Sequence, residues 1–260
     1  MRIQFYPYTT AAVSAKRLSQ HLNDMGVPSS VIQGDHSYEP MFGDMIVRWG
    51  NPHEPVWWKE ACGLPILNHP EATRKSVNKL RTFQVLMKSH IPMVPWTHYQ
   101  ETARELNTKG KTIFSRTTVV GRDGEGLVVC PPNNPGRIPR ADLYTVFVPS
   151  IAEFRVHVLP SGNIFAQRKE GTEQGIRYPI RTSTNGYSFK KINEVPPSVS
   201  KVASDAIRTL GLHFGGVDLL WCEDGRALIL EVNTAPELKG TDIPAYCEDF
   251  LTFTKFYYKQ

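Results

Sequence analysis

The fold of this 260-residue chain is decided by the stretch GGVDLLWCEDGRALILEVN, residues 215–233. Two mainly apolar runs flank the turn-forming residues EDG, and this pattern predicts a β-hairpin. Polar side chains interrupt both runs, with Asp218 in the first and with Glu231 and Asn233 in the second. Side chains two apart on a strand share a face, so Glu231 and Asn233 are expected to point the same way. Asp218, on the paired strand, can join them.

Three oxygen donors that converge from a rigid hairpin suit a hard cation. Magnesium usually takes one or two carboxylates and fills its remaining positions with waters and substrate phosphates. The alternative is that Asp218 and Glu231 are exposed charges on the polar face of a half-solvated sheet. The apolar residues that flank them, and the pairing of Glu231 with Asn233, favour a metal site.

The composition is that of an ordinary globular protein, with 40% hydrophobic and 21% charged residues. No stretch approaches the roughly 20 apolar residues of a membrane span, and MRIQFYPYTT lacks the apolar core of a signal peptide. A cytoplasmic protein without a membrane partner is therefore expected. The four cysteines are scattered with no C-x-x-C pair, which argues against a metal held by sulfur. The net charge of +5 suits a nucleotide as well as it suits nucleic acid.

The rest of the chain divides into further units. Residues 1–69 alternate between strand and helix patterns and predict a small α/β domain with a parallel sheet. A helix over 71–89 opens a second unit, 70–148, in which the glycine loop GRDGEG separates two strands. The third unit, 149–260, is predicted to hold an antiparallel sheet, in which EFRVHVLP and NIFAQRKE form a hairpin beside the 215–233 hairpin. The predicted fold class is α/β, or α+β.

The glycine loop is the candidate phosphate-binding segment. A P-loop pattern nearly occurs at GKT, but Glu105 stands where its first glycine belongs. A dinucleotide-binding loop opens a helix, whereas a strand follows GRDGEG. What remains is a hairpin whose backbone N–H groups can cover phosphates, and a plain β-turn explains the same residues equally well. Its glycines are Gly121, Gly124 and Gly126.

Taken together, the 215–233 hairpin, the GRDGEG loop and the segment NKLRTFQVLMKSHIPMVPWT resemble the ATP-grasp superfamily of carboxylate–amine ligases. The likeness is closest to the ribosomal-protein glutamate ligases and more remote to D-alanine:D-alanine ligase. It covers roughly Asn68 to Ile243, and its specific part is the GVD and EVN segments. The resemblance implies an ATP-grasp fold with an N-terminal parallel α/β domain, a small central domain and a C-terminal antiparallel sheet. ATP would lie between the last two.

The resemblance also implies roles for individual residues. The implied metal ligands are Asp218, Glu231 and Asn233. The implied contacts to the ATP phosphates are Lys79, Arg116, Gly121, Gly124 and Gly126. The implied contacts to the nucleoside are the backbone of Phe147 and Val148 at the adenine and Glu153 at the ribose. The residues implied to lie near the reacting groups are Arg155, Arg168 and Lys169.

Two departures from the family pattern stand out. Arg116 occupies the position where the family usually has lysine, although arginine can neutralise phosphate bidentately. The acidic residue often found in the adenine segment is absent from YTVFVP. The implied reaction is the ATP-dependent joining of a carboxylate to an amine through an acylphosphate, with ATP and Mg²⁺ or Mn²⁺ as cofactors. The partners would be a small carboxylate and an amine, or an acceptor on a peptide, protein or nucleic acid, and the oligomeric state is left open.

Two other functions compete with the ligase. Arg116 in place of lysine favours a catalytically silent ATP-binding module that reports nucleotide to a partner. The basic segment 166–191 favours a nucleic-acid-binding protein, although a solvated loop explains this segment equally well. Its basic residues are Arg168, Lys169, Arg177, Arg181, Lys190 and Lys191, and its acidic residues are only Glu170 and Glu173. The ligase is the preferred hypothesis, because binding of nucleic acid does not require the three predicted metal ligands Asp218, Glu231 and Asn233.

Overall fold

The structure is a computed structural model of the chain. It describes residues 1–9, 11–34, 38–61, 63–120, 124–171, 180–181 and 185–258. Gly121 of the glycine loop, and Glu173 and Arg177 of the basic segment, lie outside the described residues. Within them, the strands form three sheets, here called the N-terminal, central and C-terminal sheets.

The N-terminal sheet is parallel, as predicted, with the strand order β2-β1-β3-β4. Alternate residues of its strands, such as Ile3, Phe5 and Met45, are fully buried against two helices on one face. One of these helices follows β1 directly, while the other comes from the third predicted unit, so the core of this sheet joins both ends of the chain. The elements are β1 (Arg2–Pro7), α1 (Val13–Asp24), β2 (Ser29–Val31), β3 (Asp44–Trp49), a 3-10 turn (Val56–Trp58), β4 (Ile66–Leu67) and α6 (Asp242–Tyr257).

The central sheet is antiparallel, with the order β5-β8-β6-β7. The single helix predicted over 71–89 is wrong, because the structure divides it at Asn78. This residue is extended, with φ −97° and ψ 107°, and its side chain accepts a hydrogen bond from Arg81 N as the cap of a new helix. The helix α4 was not predicted. The elements are α2 (Pro70–Val77), α3 (Lys79–Lys88), β5 (Trp96–Thr97), α4 (Gln100–Thr108), β6 (Ile113–Arg116), β7 (Leu127–Cys130) and β8 (Leu143–Val146).

The C-terminal sheet is antiparallel, with the order β11-β10-β9-β12-β13. Both predicted hairpins are present in it, and the basic segment contributes β10 and the edge strand β11. One face is apolar and packs on α5 through residues such as Val156, Val217 and Ile229. The elements are β9 (Ala152–Val158), β10 (Ile164–Gly171), β11 (Tyr187–Ile192), α5 (Pro197–Leu210), β12 (Gly215–Trp221) and β13 (Ala227–Asn233).

The opposite face of the C-terminal sheet is polar where the adjacent strands β9, β12 and β13 carry Arg155, Asp218 and Glu231, and we call it the site face. Further along, Leu220 and Leu228 on the same sheet pack with Phe83 of α3 in a small apolar cluster. The sheet is therefore held on one face by α5 and at one end of the other by α3. The domain boundaries after residues 69 and 148 stay predictions.

Candidate active site

The site face is organised as a row of charged residues across three neighbouring strands. Arg155 on β9 lies directly opposite Asp218 on β12, and Asp218 lies directly opposite Glu231 on β13. Asn233 pairs with Gly216, which places it two residues further along the same face. The structure thus brings together the three residues that were predicted as metal ligands.

A β-bulge makes this row possible. The register between β12 and β13 shifts after Asp218, so that Leu219 pairs with Ile229 and Leu230 is the extra residue. Without the bulge, simple alternation would put Ile229 and Glu231 on the same face. With it, Ile229 is fully buried in the core beneath α5, while Glu231 reaches the site face.

Arg155 and Asp218 form a bidentate ion pair at the centre of the row. Arg155 donates from Nε and Nη2 to the two carboxylate oxygens of Asp218 at 2.7 and 2.8 Å. Only 16% and 9% of the two side chains are exposed. Burial alone would raise the pKa of Asp218, but the charge and hydrogen bonds of Arg155 hold this pKa below its usual value. Asp218 is therefore an ionised carboxylate with a fixed orientation.

Lys79 reaches the other end of the row from the central unit. Its Nζ lies 3.1 Å from Glu231 Oε1, with 12% of the lysine and 30% of the glutamate side chain exposed. Lys79 is the first residue of α3, which begins there because Asn78 caps the helix. Its backbone N–H donates to Val119 O at 2.9 Å, on the segment that leads into the glycine loop. Lys79 therefore links the start of α3, the segment that precedes the glycine loop, and Glu231 on β13.

Arg116 ends β6 and is half-buried close to Glu231. Burial lowers the pKa of its guanidinium, and the negative charge of Glu231 partly opposes this shift. Among the described residues, no carboxylate lies within ion-pair distance of Arg116. A partly desolvated arginine at the strand end before the glycine loop is suited to an anionic group such as phosphate.

The described part of the glycine loop is a tight turn. Gly124 and Gly126 have φ of +82° and +67°, which side chains rarely adopt. A Cβ atom on Gly126 would meet the Thr118 side chain at 2.6 Å, so only glycine fits. Thr117 N donates to Gly126 O at 2.8 Å and closes the base of the hairpin.

Glu153 lies on the site face beyond the central row, where two cations engage it. Lys169 Nζ contacts one carboxylate oxygen, and Arg181 Nη1 lies 3.7 Å from the other. Burial raises the pKa of Glu153, and Lys169 opposes this shift. The ring of Phe189 covers this region, with the guanidinium of Arg155 at 4.2 Å from its centroid. The ribose role of Glu153 stays a prediction.

Arg168 does not join Lys169 in this site. The two residues are consecutive on β10, and consecutive side chains on a strand point to opposite faces. Lys169 lies on the site face, whereas Arg168 is exposed on the other face. The two side chains therefore lie on opposite faces of the sheet, and the implied place of Arg168 and Lys169 near the reacting groups stays a prediction.

The adenine segment follows β8. Phe147 is 40% exposed, and its N–H donates to Thr112 O at 3.0 Å. Val148 packs against the apolar cluster that contains Phe83. Their contact with adenine stays a prediction.

A buried polar network behind Arg155 was missed in the sequence. His157 Nδ1 lies 3.0 Å from Tyr246 Oη, and His157 Nε2 lies 3.4 Å from Gln167 Oε1. Gln167 Nε2 donates in turn to Asp242 Oδ2 at 3.0 Å, at the start of α6. The period-two pattern that runs from Arg155 to His157 was the available signal. The network fixes β9 and β10 against α6.

The donor set on the site face fits magnesium only when phosphate accompanies it. Asp218, Glu231 and Asn233 supply oxygen donors, and a carboxylate that accepts from arginine retains lone pairs. The described residues contain no group of three or more His, Cys, Asp or Glu side chains that could hold a metal alone. The cations Arg155, Lys79 and Arg116 outnumber the two carboxylates, so the row would repel a free cation but attract a magnesium–nucleotide complex.

Comparison with solved structures shows the class to which this architecture belongs. The chain superposes on the ATP-grasp ligase PsnB, solved with a minimal precursor, Mg and ADP, with a TM-score of 0.71 and 16% identity over 97% of both chains. It superposes on D-alanine–D-alanine ligase from Bacillus anthracis with a TM-score of 0.70 and 12% identity over 99% of both chains. The predicted fold is confirmed, and the chain has the ATP-grasp fold.

The proteins that are similar in sequence have names that indicate a narrower class of ligase. The chain is 27% identical over 222 residues to a probable alpha-L-glutamate ligase from Cellvibrio japonicus, and the match covers 81% of this chain and 72% of that protein. A probable alpha-L-glutamate ligase from Trichodesmium erythraeum is 25% identical over 197 residues, or 70% of this chain and 64% of that protein. No family model matches the chain. The predicted resemblance to ATP-grasp carboxylate–amine ligases is confirmed, because the solved structures show the fold and the names of the sequence relatives support a ligase enzyme.

The sequence also predicted that the chain has no membrane span, and the helices can be compared with that prediction. Among the described residues, no helix combines the length and the apolar character that crossing a bilayer requires.

Proposed function

We propose that the chain is an ATP- and magnesium-dependent ligase that joins a carboxylate to an amine through an acylphosphate. The observation that supports this most directly is the row of Arg155, Asp218 and Glu231 on the site face, with Lys79 and Arg116 beside it. Oxygen donors next to an excess of cations suit the triphosphate of ATP with its metal.

The proposed reaction has two steps. A substrate carboxylate oxygen attacks the γ-phosphorus of ATP, the bond to the β,γ-bridging oxygen breaks, and ADP leaves. An amine then attacks the acyl carbon of the acylphosphate, phosphate leaves with the electrons of the C–O bond, and the nitrogen loses a proton to give an amide. Magnesium, when bound by Asp218, Glu231 and Asn233, would neutralise charge on the phosphate oxygens.

The residues of the chain would divide the remaining work. Lys79 and Arg116 would neutralise phosphate oxygens, which requires that Lys79 exchange Glu231 for the nucleotide. Arg155 is held by Asp218 through Nε and Nη2, which leaves Nη1 able to donate to the oxyanion of the tetrahedral intermediate. The glycine hairpin would close over the site and exclude water, which would otherwise hydrolyse the acylphosphate.

The names of the relatives suggest the first substrate to test. Both are called probable alpha-L-glutamate ligases, and PsnB was solved with a precursor peptide. We therefore propose L-glutamate as one substrate, and a small carboxylate or amine, or a peptide or protein end, as the other.

Phosphate release from ATP and magnesium tests the proposal. The purified protein is incubated with L-glutamate and pools of amino acids, small carboxylates and peptides, and products are identified by mass spectrometry. The Glu231→Gln variant should lose turnover while it keeps the thermal stability of a folded protein. The matched control is Glu237→Gln, because Glu237 also pairs with a lysine, Lys239, at 3.0 Å but is exposed.

The outcomes separate the competing functions. An amide product that requires Glu231 but not Glu237 supports the ligase. Wild-type turnover in Glu231→Gln would rule out the proposed metal site. ATP binding without turnover in any pool would favour the silent module, and the absence of ATP binding would refute the proposal as a whole.

A further inference from the structure

The end of β3 touches the segment that follows the proposed metal-binding strand. Gly50, directly after β3, has a φ of +74°. A Cβ atom at this position would lie 2.8 Å from Ala235 Cβ and 3.0 Å from Tyr8 Cδ1. The distance to Ala235 is shorter than side chains tolerate, so Ala235 can occupy its place only because residue 50 lacks a side chain.

Ala235 lies two residues after Asn233, and the N-terminal unit holds the same segment again at Leu238. The N–H of Leu238 donates to the hydroxyl of the buried Ser14 on α1 at 3.0 Å, and its carbonyl accepts from Arg17 at 3.5 Å. Contacts from both β3 and α1 therefore fix the path of the chain where it leaves β13.

The start of β12 is held in the same way. Asn68 is fully buried with a φ of +59°, and its side chain accepts from His213 N and Phe214 N at 2.9 and 3.2 Å and donates to Phe214 O at 3.1 Å. Trp49, the residue before Gly50, stacks on Phe214 with 5.4 Å between ring centroids.

The two strand ends are also in direct contact. A Cβ on Gly215, the first residue of β12, would lie 3.0 Å from the carbonyl oxygen of Asn233. Because the two backbones approach this closely, we expect a shift of the segment after Asn233 to be passed on to the start of β12 and so to the site face.

We propose that Gly50 is a positioning residue for magnesium–nucleotide binding. By leaving room for Ala235 against the end of the parallel N-terminal sheet, it sets the place of Asn233 relative to Asp218 and Glu231. The inference rests on the proposed function, because it assumes that Asn233 helps to hold the metal. It adds that the N-terminal unit tunes this site through its packing against the segments that follow β13 and precede β12.

A matched pair of glycine variants tests the inference. Gly50→Ala introduces the contact with Ala235 in addition to backbone strain. Gly26→Ala introduces similar strain, since Gly26 has a φ of +77°, but nothing lies within 4 Å of its added Cβ. Comparison of the two variants isolates the contact from the strain.

The measured quantity is the magnesium concentration that half-saturates ADP binding, obtained by titration calorimetry, with thermal unfolding measured alongside. A misplacement of a ligand by a fraction of an ångström weakens a coordination site strongly. We expect Gly50→Ala to raise this concentration about tenfold or more, and Gly26→Ala to leave it within about twofold of the wild type.

Two further variants complete the design. Ala235→Gly in the Gly50→Ala background removes the clashing methyl group and should lower the magnesium requirement again. Ala235→Val adds bulk from the other side of the contact without backbone strain at Gly50, and it should raise the magnesium requirement by itself. It decides the question if Gly50→Ala does not fold.

The outcomes keep the two proposals apart. If Glu231→Gln raises the magnesium requirement but Gly50→Ala and Ala235→Val do not, the positioning role is refuted while the metal site stands. The same holds if Gly50→Ala and Gly26→Ala behave alike, or if Ala235→Gly gives no rescue. If Glu231→Gln has no effect on the magnesium requirement, the proposed metal site itself fails, and the positioning role fails with it.

Discussion

The buried ion pair between Arg155 and Asp218 predicts a large loss of stability when its acid is neutralised. The substitution Asp218→Asn keeps the shape of the side chain but removes the charge that opposes Arg155, whose side chain is only 16% exposed. Removal of one partner of a buried pair typically costs about 3–5 kcal/mol, because the other charge remains in a poorly solvated place. Glu153 and Glu231 also act on Arg155 and raise its pKa together with Asp218. We therefore expect the lower end of this range, about 3 kcal/mol.

Thermal unfolding monitored by circular dichroism measures this cost. For a chain of this size, about 3 kcal/mol corresponds to a fall in the melting temperature of roughly 6–12 °C. The control is Asp224→Asn, because Asp224 also pairs with the Nε of an arginine, Arg226, at 2.6 Å but is 52% exposed. This control should unfold within a degree or two of the wild type, since exposed pairs contribute little. Equal melting temperatures for the two variants would refute the argument that burial makes Arg155 depend on Asp218.

Two further predictions concern titrating groups. Burial and the charge of Arg155 lower the pKa of His157 from 6.5 to about 3. Between these two pH values, His157 is protonated in the unfolded state but neutral in the folded state. The free energy of unfolding therefore falls as the pH drops from 6.5 towards 3. At pH 5 this amounts to about 2 kcal/mol, and the urea midpoint of wild type should fall more between pH 7.5 and pH 5 than that of His157→Gln; equal falls would contradict the assignment. Brief labelling of the native protein with a thiol reagent should spare Cys130, Cys222 and Cys247, since all three are buried and burial raises the pKa of Cys247 to about 12. Peptide mapping checks this, and labelling of these three at the rate seen in denaturant would show that the cores open readily.

The hairpin and its polar residues could be predicted because their signals are local. Period-two alternation and a glycine turn predict paired strands, and Asp218, Glu231 and Asn233 stand out as polar residues within apolar runs. The fold class followed from the order of such segments, helped by the family resemblance.

The errors arise where the outcome depends on distant partners or on a competing local interaction. The bulge at Leu230 satisfies two cores at once, one under α5 and one against α3, and neither is visible from β13 alone. The break at Asn78 places a side-chain cap inside a helical pattern, where apolar spacing outweighed the capping signal. The family resemblance grouped Arg168 with Lys169, although strand geometry puts consecutive side chains on opposite faces of the sheet.

The choice of ion-pair partners could not be predicted at all. Nothing near Lys79 in the chain specifies Glu231, because their meeting requires the packing of α3 against the C-terminal sheet. The same is true of Gly50 and Ala235, which meet only after the N-terminal and C-terminal sheets have packed together.

The position of α6 has a consequence for the order in which the chain can fold. Phe250 of this late helix packs on Phe5 of β1 with 6.0 Å between ring centroids, and Tyr258 Oη donates to Asp44 O at 2.7 Å. During synthesis, the first strands therefore leave the ribosome long before the helix that covers them exists. Their apolar face cannot be covered by α6 until the roughly two hundred residues between them have been made. The N-terminal unit is thus an early product of translation but a late product of folding.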